Sequence, residues 1–390
     1  MTMATKNEIF TEKLKTYLKA TKAEKRQILD AVCSVTGMHR KAAVRKFSRL
    51  QFKDSRLQEV RGRPAYYTND VTLALKDIWK VGSEVCGELI HPVISEYVTA
   101  LKRDGMWQYG EETTVKLLQM SEMTVKRRVS RFMSGRQPSK GMSSTKPSAL
   151  KELIPIFTGP WKDKPPGYGQ IDTVAHCGNT LIGSFAYTVN WTDVATLWGS
   201  RRAQWNKGQY ATKANIEIMR DRLPFALLGI HPDTGSEFIT WLLHDWAEDQ
   251  KIEMTRSRPY HKDDNAYVEQ KNGHVVRRFL GYNRFDCKQT ITLINELYEV
   301  LDVYLNHFVA SRKLLEKNRV GAKYQKKYDK GKTPYQRVLV HPDIYQDVKE
   351  ALRQEHEGLN PLLLKQQIDK LIVRIMKTQN DYDKSKLSEN

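Results

Sequence analysis

Three acidic residues have the types and positions that metal-dependent chemistry on a phosphodiester requires. Asp172 lies in a predicted strand, Asp233 follows the apolar run FALLGI, and Glu269 lies in the first turns of a predicted helix, with 35 residues between it and Asp233. Carboxylates without a matching set of cysteines and histidines favour a hard cation such as Mg²⁺ or Mn²⁺. Two such ions about 3.5–4 Å apart would bind the attacking and the leaving oxygen of a phosphodiester.

Other polar residues of this region have structural interpretations. Asp193 fits a turn between strands, and Glu237, directly after Ser236, suits the positive end of a helix dipole. His231 lies close enough to Asp233 to support its site, although a purely structural role is an equally open interpretation.

An α/β layer is predicted to position the three acids. The segments GQIDTVAH, LIGSFAYTVNWTD and ATLWGSRRAQ predict three strands. Helices over 209–223 and 236–249 flank the strand FALLGI, a short strand follows around 252–255, and a last helix begins near Asp264. This order predicts a mixed sheet with helices on its faces. Asp233 would lie at the C-terminal edge of its strand, where open α/β sheets bind ligands.

The positive charge of the chain is concentrated at its two ends. The chain has 390 residues and a formal charge of +19, distributed as +13 in residues 1–150, zero in 151–260 and +6 in 261–390. A nucleic-acid-binding protein concentrates basic residues in this way, whereas a surface charged only for solubility spreads them. The neutral middle is either plain core or a site that must keep its acidic groups.

The first basic region predicts a helix-turn-helix. Residues 24–35 have helical periodicity, Gly37 interrupts it, and residues 39–50 resume it with Ala43, Phe47 and Leu50 on one buried face. The opposite face carries Lys41, Arg45 and Arg49. The second helix is therefore suited to a major groove; the alternative is an ordinary solvated amphipathic helix.

The same pattern recurs further along. Residues 113–119 lead to Ser121, a predicted N-cap, and then to a helix with Val125, Val129 and Phe132 on its buried face. Its outer face carries Arg127 and Arg131. A second helix-turn-helix strengthens the prediction of DNA binding.

Two short segments separate these regions. Arg61 and Arg63 belong to the tetrapeptide RGRP, which is either a minor-groove contact or a simple linker. From Ser134 to Leu150, 9 of 17 residues are Ser, Gly or Pro, which predicts a linker. The predicted domains are two helix-turn-helix domains at 1–60 and 61–133, a linker at 134–158, a catalytic core at 159–285 and a helical, basic C-terminal region at 286–390.

The C-terminal region adds a basic segment and an apolar stripe. Lys313 to Lys332 carries 8 basic and 2 acidic residues, among them Lys323, Lys326 and Lys327. It is interpreted as a phosphate-binding segment, with a solvated loop as the alternative. The apolar stripe from Leu363 to Ile375 either packs within the chain or joins two protomers.

Several protein classes are excluded. No apolar run approaches the roughly 18 residues of a membrane helix, and the N-terminus lacks the pattern of a secretion signal. The four cysteines lie far apart, which excludes a disulfide framework and a CxxC metal site. We expect a cytoplasmic protein with neither a membrane partner nor a small-molecule substrate.

The segments GQIDTVAHCGN, HPDTGSEFI and SRPYHKDDNAYVEQKN, in that order, resemble bacterial insertion-sequence transposases with a retroviral-integrase-type catalytic core. The resemblance continues through VVRRFLGYNRFD and YDKGKTPYQRVL. It implies a ribonuclease-H-like fold in which Asp172, Asp233 and Glu269 bind two metal ions. The second motif departs from the usual Asp-Asn-Gly, since Thr234 stands beside Asp233.

The resemblance also implies an activity and its partners. The chain would bind the ends of a mobile element, cleave DNA and join it to a target, as a homo-oligomer on double-stranded DNA and without a covalent protein–DNA intermediate. Asn272, Gly273 and Val276 share the helical face of Glu269, and Lys271, Arg277 and Arg278 either contact phosphates or are simply solvated. The alternatives are an inactive or domesticated DNA-binding copy and a nuclease of the same fold without strand transfer.

Overall fold

The chain divides into two units in a computed structural model, Met1–Tyr66 and Tyr67–Asn390. The structure describes residues 1–52, 66–133, 154–157, 159, 161–233, 235–258, 262–320 and 323–389. Most of the predicted linker, together with Arg61 and Arg63, lies outside the described residues.

The N-terminal unit contains three helices: α1 (Met3–Lys19), α2 (Lys22–Thr36) and α3 (Arg40–Gln51). Gly37 ends α2 in the left-handed conformation, with φ of 67°, and its N–H donates to the carbonyl of Cys33. Phe10 of α1 and Phe47 of α3 meet in the core of this unit, with ring centroids 4.8 Å apart. The interrupted helical pattern therefore corresponds to two helices separated by a glycine turn.

A second helical region begins the larger unit. Its helices are α4 (Asn69–Val81), α5 (Gly87–Ile90), α6 (Ile94–Arg103), α7 (Glu111–Leu118) and α8 (Glu122–Phe132). Ser121 caps α8, since its side chain accepts from the backbone N–H of Thr124. Val125 and Val129 are buried, so α8 uses the face that its apolar spacing predicts.

A mixed five-stranded sheet follows, which confirms the predicted fold class of helical N-terminal regions followed by an α/β core. The elements are β1 (Tyr168–Ala175), β2 (Ala186–Asp193), β3 (Gly199–Trp205), α9 (Gln209–Asp221), β4 (Gly229–Pro232), α10 (Trp241–Asp249) and β5 (Glu253–Met254). The strand order is β3-β2-β1-β4-β5. The pairs β3–β2 and β2–β1 are antiparallel, whereas β1–β4 and β4–β5 are parallel.

Two element boundaries predicted from the sequence are wrong. Only the last two residues of FALLGI enter β4, because β4 pairs with β1 from Tyr168 onward and Gly229 is its first paired residue. The helix expected from Ser236 begins at Trp241, because Thr240 is the N-cap and accepts from the N–H of Leu243. Residues 236–240 form turns and bends instead.

The two faces of the sheet have different characters. Ile171, Val189 and Trp191 point to an apolar core that they share with α9 and α10. On the opposite face are the polar residues Gln170 and Asp172, which contact the segment that follows β5. This segment comprises α11 (Ala266–Lys271), a π-helical turn (Asn272–Val276) and α12 (Arg277–Leu280).

The C-terminal region packs against the rest of the larger unit. It comprises α13 (Gln289–Phe308), the hairpin strands β6 (Leu314–Val320) and β7 (Lys323–Tyr328), α14 (Pro334–Val340), α15 (Gln346–Gly358) and α16 (Pro361–Glu389). Ile368 and Ile375 of α16 are fully buried in a core shared with α13 and the helices α4 to α8. The apolar stripe therefore packs within the chain. No helix in the described part of the chain has the length and hydropathy to cross a membrane.

Gly169→Ala should lower the free energy of unfolding of the larger unit by about 1–3 kcal/mol, because an extra methyl group overpacks the core. A Cβ at this position would lie 2.1 Å from Cε2 of the buried Trp191. Chemical denaturation followed by tryptophan fluorescence measures the change, since all 8 tryptophans belong to this unit. The control Gly358→Ala, with nothing within 4 Å of the added Cβ, should leave stability unchanged or slightly higher. Equal stability of the two variants would contradict the packing described for β1.

Candidate active site

Parallel pairing of β1 with β4 brings two aspartates to adjacent strand positions. Ile171 pairs with Pro232 in the last register pair, and the next residues along the two strands are Asp172 and Asp233. Burial raises the pKa of Asp172 well above its ordinary value, and the negative charges of Asp233 and Glu237 raise it further. The charges of Asp233 and Glu237 therefore both act on the carboxyl group of Asp172.

The Asp172 carboxylate is held by two donors. Its Oδ1 accepts from the backbone N–H of Thr173 at 2.7 Å, and its Oδ2 accepts from Nδ2 of Asn272 at 2.6 Å. Asn272 in turn accepts, through Oδ1, from Nδ2 of Asn190 on β2 at 2.8 Å. Asn272, the first residue of the π-helical turn, is therefore hydrogen-bonded to the neighbouring strands β1 and β2.

Glu269 lies on α11, three residues before Asn272, and its side chain is exposed. Residues three apart share one side of a helix, so the helical face that carries Glu269 is the one that contacts Asp172. Among the described residues, no three His, Cys, Asp or Glu side chains are grouped closely enough to hold a metal ion. The structure thus brings Asp172 and Asp233 together, and Glu269 lies three residues before the Asn272 that binds Asp172.

The prediction that Asn272, Gly273 and Val276 share the helical face of Glu269 is only partly correct. Asn272 and Gly273 remain accessible near it, but Val276 is fully buried. The reason is the π-helical turn over Asn272–Val276, which adds a residue to the turn and rotates the helix beyond it.

Gln170 fixes the start of this helix, a role that no sequence pattern indicates. Its side chain is fully buried on β1, two residues before Asp172. Its Nε2 donates to the carbonyl of Asp264 at 2.8 Å, while its Oε1 accepts from the N–H groups of Tyr267 and Val268 at 2.8 and 3.2 Å. One amide side chain thereby satisfies three backbone groups at the helix start.

Glu237 belongs to the acidic centre, and its expected role at a helix N-terminus is wrong. It lies in a turn four residues before α10, and only 2% of it is exposed. Its Oε1 accepts from Oγ1 of Thr173 and forms an ion pair with Nζ of Lys207 at 2.9 Å. Its Oε2 is buried and has no hydrogen-bond partner among the described residues. The spacing of Asp233, Gly235 and Glu237 within one short turn is the sequence signal that could have indicated this role.

Gly235 allows two carboxylate oxygens to face one small space. A Cβ on this residue would lie 2.8 Å from Oδ1 of Asp233 and 2.9 Å from Oε2 of Glu237. The backbone N–H of Gly235 also donates to Oδ1 of Asp233 at 2.8 Å.

Lys207 brings a positive charge to the acidic centre. Burial lowers its pKa, but the charge and hydrogen bond of Glu237, together with the nearby Tyr187 and Asp233, outweigh burial and leave the pKa above its ordinary value. Lys207 is therefore a permanent cation beside the acids.

His231 has a structural role. Its Nδ1 is 2.8 Å from Oγ1 of Thr255, and its ring meets the edge of Trp161. Burial lowers its pKa to about 4, so the ring is neutral.

The residues of this centre fit a hard divalent cation. Asp172 and Asp233 offer carboxylate oxygens from adjacent strand ends, and Oε2 of Glu237, in the turn that follows, is buried without a partner among the described residues. Oxygen ligands of this kind suit Mg²⁺ or Mn²⁺.

The predicted DNA-contacting residues fall into two groups. Those with exposed side chains are Lys41, Arg45 and Arg49 on α3, Arg127 and Arg131 on α8, Arg278 on α12, and Lys326 and Lys327 on β7, the strand that Lys323 begins.

Lys271 and Arg277 are half-buried instead. Arg277 donates through Nη2 to the carbonyl of Ala175 at 2.8 Å and lies 4.9 Å from the ring of Tyr282. Burial lowers the pKa of Lys271 to about 7, and the charges of Arg201 and Arg337 add to the shift. The Arg277 side chain is thus directed to interior contacts, and that of Lys271 is partly shielded from solvent.

The sheet and its flanking helices form a mixed α/β core that helical regions precede. No family model matches the chain. The chain belongs to the same family as the uncharacterized protein y4rM of Sinorhizobium fredii, which is 35% identical over 333 residues, 84% of this chain and 93% of the relative.

Solved structures with detectable similarity include two integrase domains. The catalytic core domain of BIV integrase is 17% identical, with a TM-score of 0.29 over 44% of this chain and 91% of that chain. The HTLV-2 integrase catalytic core domain, solved in complex with magnesium, is 15% identical, with a TM-score of 0.28 over 38% of this chain and 91% of that chain. Because these TM-scores are low, we describe the fold of this chain by the order and directions of its strands.

Gln170→Leu should loosen the start of α11. The substitution leaves the carbonyl of Asp264 and the N–H groups of Tyr267 and Val268 without their partner. Hydrogen–deuterium exchange with mass spectrometry should therefore show faster exchange in peptides covering residues 264–272.

Gln204→Leu is the matched control. Gln204 is also buried, but it contacts Thr212 and Asn215 of α9. That variant should speed exchange in α9 and leave residues 264–272 unchanged. Unchanged exchange in α11 of the Gln170 variant would show that this amide does not anchor the helix.

Proposed function

We propose that this protein is a DNA transposase that binds the ends of a mobile element and catalyses metal-dependent DNA cleavage and strand transfer. One observation carries the proposal: Asp172 and Asp233 lie on adjacent strands, and Asn272 connects Asp172 to the helix of Glu269. Two aspartates and a helical glutamate are the acids that the sequence motifs assign to an integrase-type centre.

Asp172, Asp233 and Glu269 would hold Mg²⁺ or Mn²⁺, most simply two ions. A metal bound there would lower the pKa of the attacking water or 3′-hydroxyl and would neutralise charge on the leaving oxygen. The chain's own contribution is orientation. Asn272 and the N–H of Thr173 fix the Asp172 carboxylate, and the N–H of Gly235 fixes that of Asp233.

DNA binding is assigned to exposed basic surfaces. The outer faces of α3 and α8 carry arginines and lysines at helical spacing, and β7 carries Lys326 and Lys327. The formal charge of +19 supports a polyanionic partner. We assign double-stranded DNA as this partner and a homo-oligomer as the active form, because two element ends must be held together.

Two rival functions share these features. A domesticated copy would bind element ends without chemistry, and a nuclease of the same fold would cleave without joining. The helices of the N-terminal unit and α8 favour the transposase over the nuclease, since a general nuclease has little use for sequence readout.

Glu269→Gln should abolish strand transfer while leaving end binding nearly intact, because it removes a negative ligand without changing side-chain size. The assay uses labelled DNA from the regions flanking the reading frame, with Mg²⁺ or Mn²⁺. Glu248→Gln, an exposed glutamate near the end of α10, is the matched control and should join DNA at the wild-type rate.

Joining by the Glu269 variant would exclude this residue from the centre. End binding without cleavage by the wild type would favour the domesticated copy, and cleavage without joining would favour the nuclease.

Replacing Lys41, Arg45 and Arg49 together by Ala should weaken end binding and flatten its salt dependence. Removal of one phosphate contact lowers the slope of log K against log salt by about 0.9. Fluorescence anisotropy at several salt concentrations measures this slope. The control replaces the exposed Lys13, Lys15 and Lys19 of α1, which removes the same charge from another helix. Equal losses of affinity in both triple variants would show a general charge effect rather than binding by α3.

A further inference from the structure

Glu237 and Lys207 form an ion pair next to the acidic centre, outside the three acids named by the motifs. Assigning this pair a role in cation binding rests on the proposed function, which supplies the cation site but uses neither residue. Nζ of Lys207 lies 2.9 Å from Oε1 of Glu237, and the Lys207 side chain is 32% exposed whereas that of Glu237 is 1% exposed.

The second oxygen of Glu237 is directed at the centre. Oε2 is buried without a hydrogen-bond partner among the described residues. It faces the space over Gly235 that Oδ1 of Asp233 also faces. A buried carboxylate oxygen without a partner is costly, and a cation is a partner that would remove the cost.

Glu237 is also tied to the strand of Asp172. Oγ1 of Thr173, the residue after Asp172, donates to Oε1 of Glu237. Glu237 thus contacts one aspartate through its strand neighbour and approaches the other over Gly235. Its carboxylate is fixed through Oε1, and Oε2 faces the space over Gly235.

The Lys207 side chain can move more easily than that of Glu237, because it is partly exposed to solvent. It follows β3 in a connection that includes Asn206, whose φ is 58°, and about a third of its side chain remains accessible. Lysine is a flexible, strongly hydrated point charge. Its ammonium can leave Glu237 for solvent without unfolding an element.

We propose that Glu237 is a fourth carboxylate of the cation site and that Lys207 is its built-in counter-charge, displaced when a divalent cation binds. Before binding, Lys207 offsets the repulsion among Asp172, Asp233 and Glu237. After binding, the cation takes over that role, and the released ammonium lies at the edge of the site, where a DNA phosphate would approach.

Two substitutions have opposite expected effects on cation affinity. Glu237→Gln removes a negative charge and should weaken binding about tenfold, whereas Lys207→Met removes a competing positive charge and should strengthen it about tenfold. Tenfold corresponds to a charge coupling of ordinary size. Lys207→Arg keeps the charge and should bind within about threefold of the wild type.

Isothermal titration calorimetry of the full chain with Mn²⁺ measures these affinities without DNA or activity. Asp233→Asn should lose binding and identifies the site being titrated. Lys213→Met, which removes the partner of Glu217 on α9, should match the wild type. Tryptophan fluorescence shows whether Glu237→Gln is folded. If it is not, the cation affinities of Lys207→Met and Lys207→Arg test the inference.

Wild-type affinity in Glu237→Gln, or unchanged or weaker binding in Lys207→Met, would overturn this inference. Those results would leave the proposed function standing if Glu269→Gln still abolished joining. The opposite case is also distinguishable. If Glu237→Gln weakens and Lys207→Met strengthens cation binding, but the wild type neither cleaves nor joins DNA, this inference is supported and the proposed function is rejected.

Discussion

The parallel pairing of β1 and β4 forces two negative charges into neighbouring positions, and much of the surrounding structure is arranged around that constraint. Strand register alone places Asp172 beside Asp233, so there is repulsion between their carboxylates whenever both are ionised. Burial intensifies it, because few water molecules remain to screen the charges. A chain that keeps such a pair must either supply positive charge or hold hydrogen-bond donors against the carboxylates.

This protein does both, from two sides of the site. On one side, Asn272 and the N–H of Thr173 donate to Asp172, and Gln170 fixes the helix that leads to Asn272. On the other, Lys207 pairs with Glu237 beside Asp233. The first arrangement is rigid and made of neutral donors. The second is ionic and partly exposed, so it is the side at which the charge balance can change.

The sequence predicted the parts of this arrangement that depend on local pattern. Asp172 and Asp233 were identifiable because alternating and apolar runs indicate strands, and strand ends indicate neighbours. Gln170 and Lys207 depend on contacts between residues far apart in the chain, so no local period indicates them. Glu237 is indicated only by its short spacing from Asp233. The burial of Lys271 and Arg277 could not be predicted either, because the packing of the last helices decides it. Helix bounds also shifted where one cap, Thr240, outweighed a longer periodic run.

The core shared by α4 to α8, α13 and α16 determines which fragments of this protein can be produced in folded form. Ala186 and Ala203 of the sheet contribute to that core, together with Tyr298 of α13. A fragment cut at residues 159 and 285 would lose α13 and expose this apolar surface to water. The smallest manageable piece with an intact sheet therefore extends from α4 to α16, and truncation between these helices would yield aggregation-prone material rather than an isolated catalytic module.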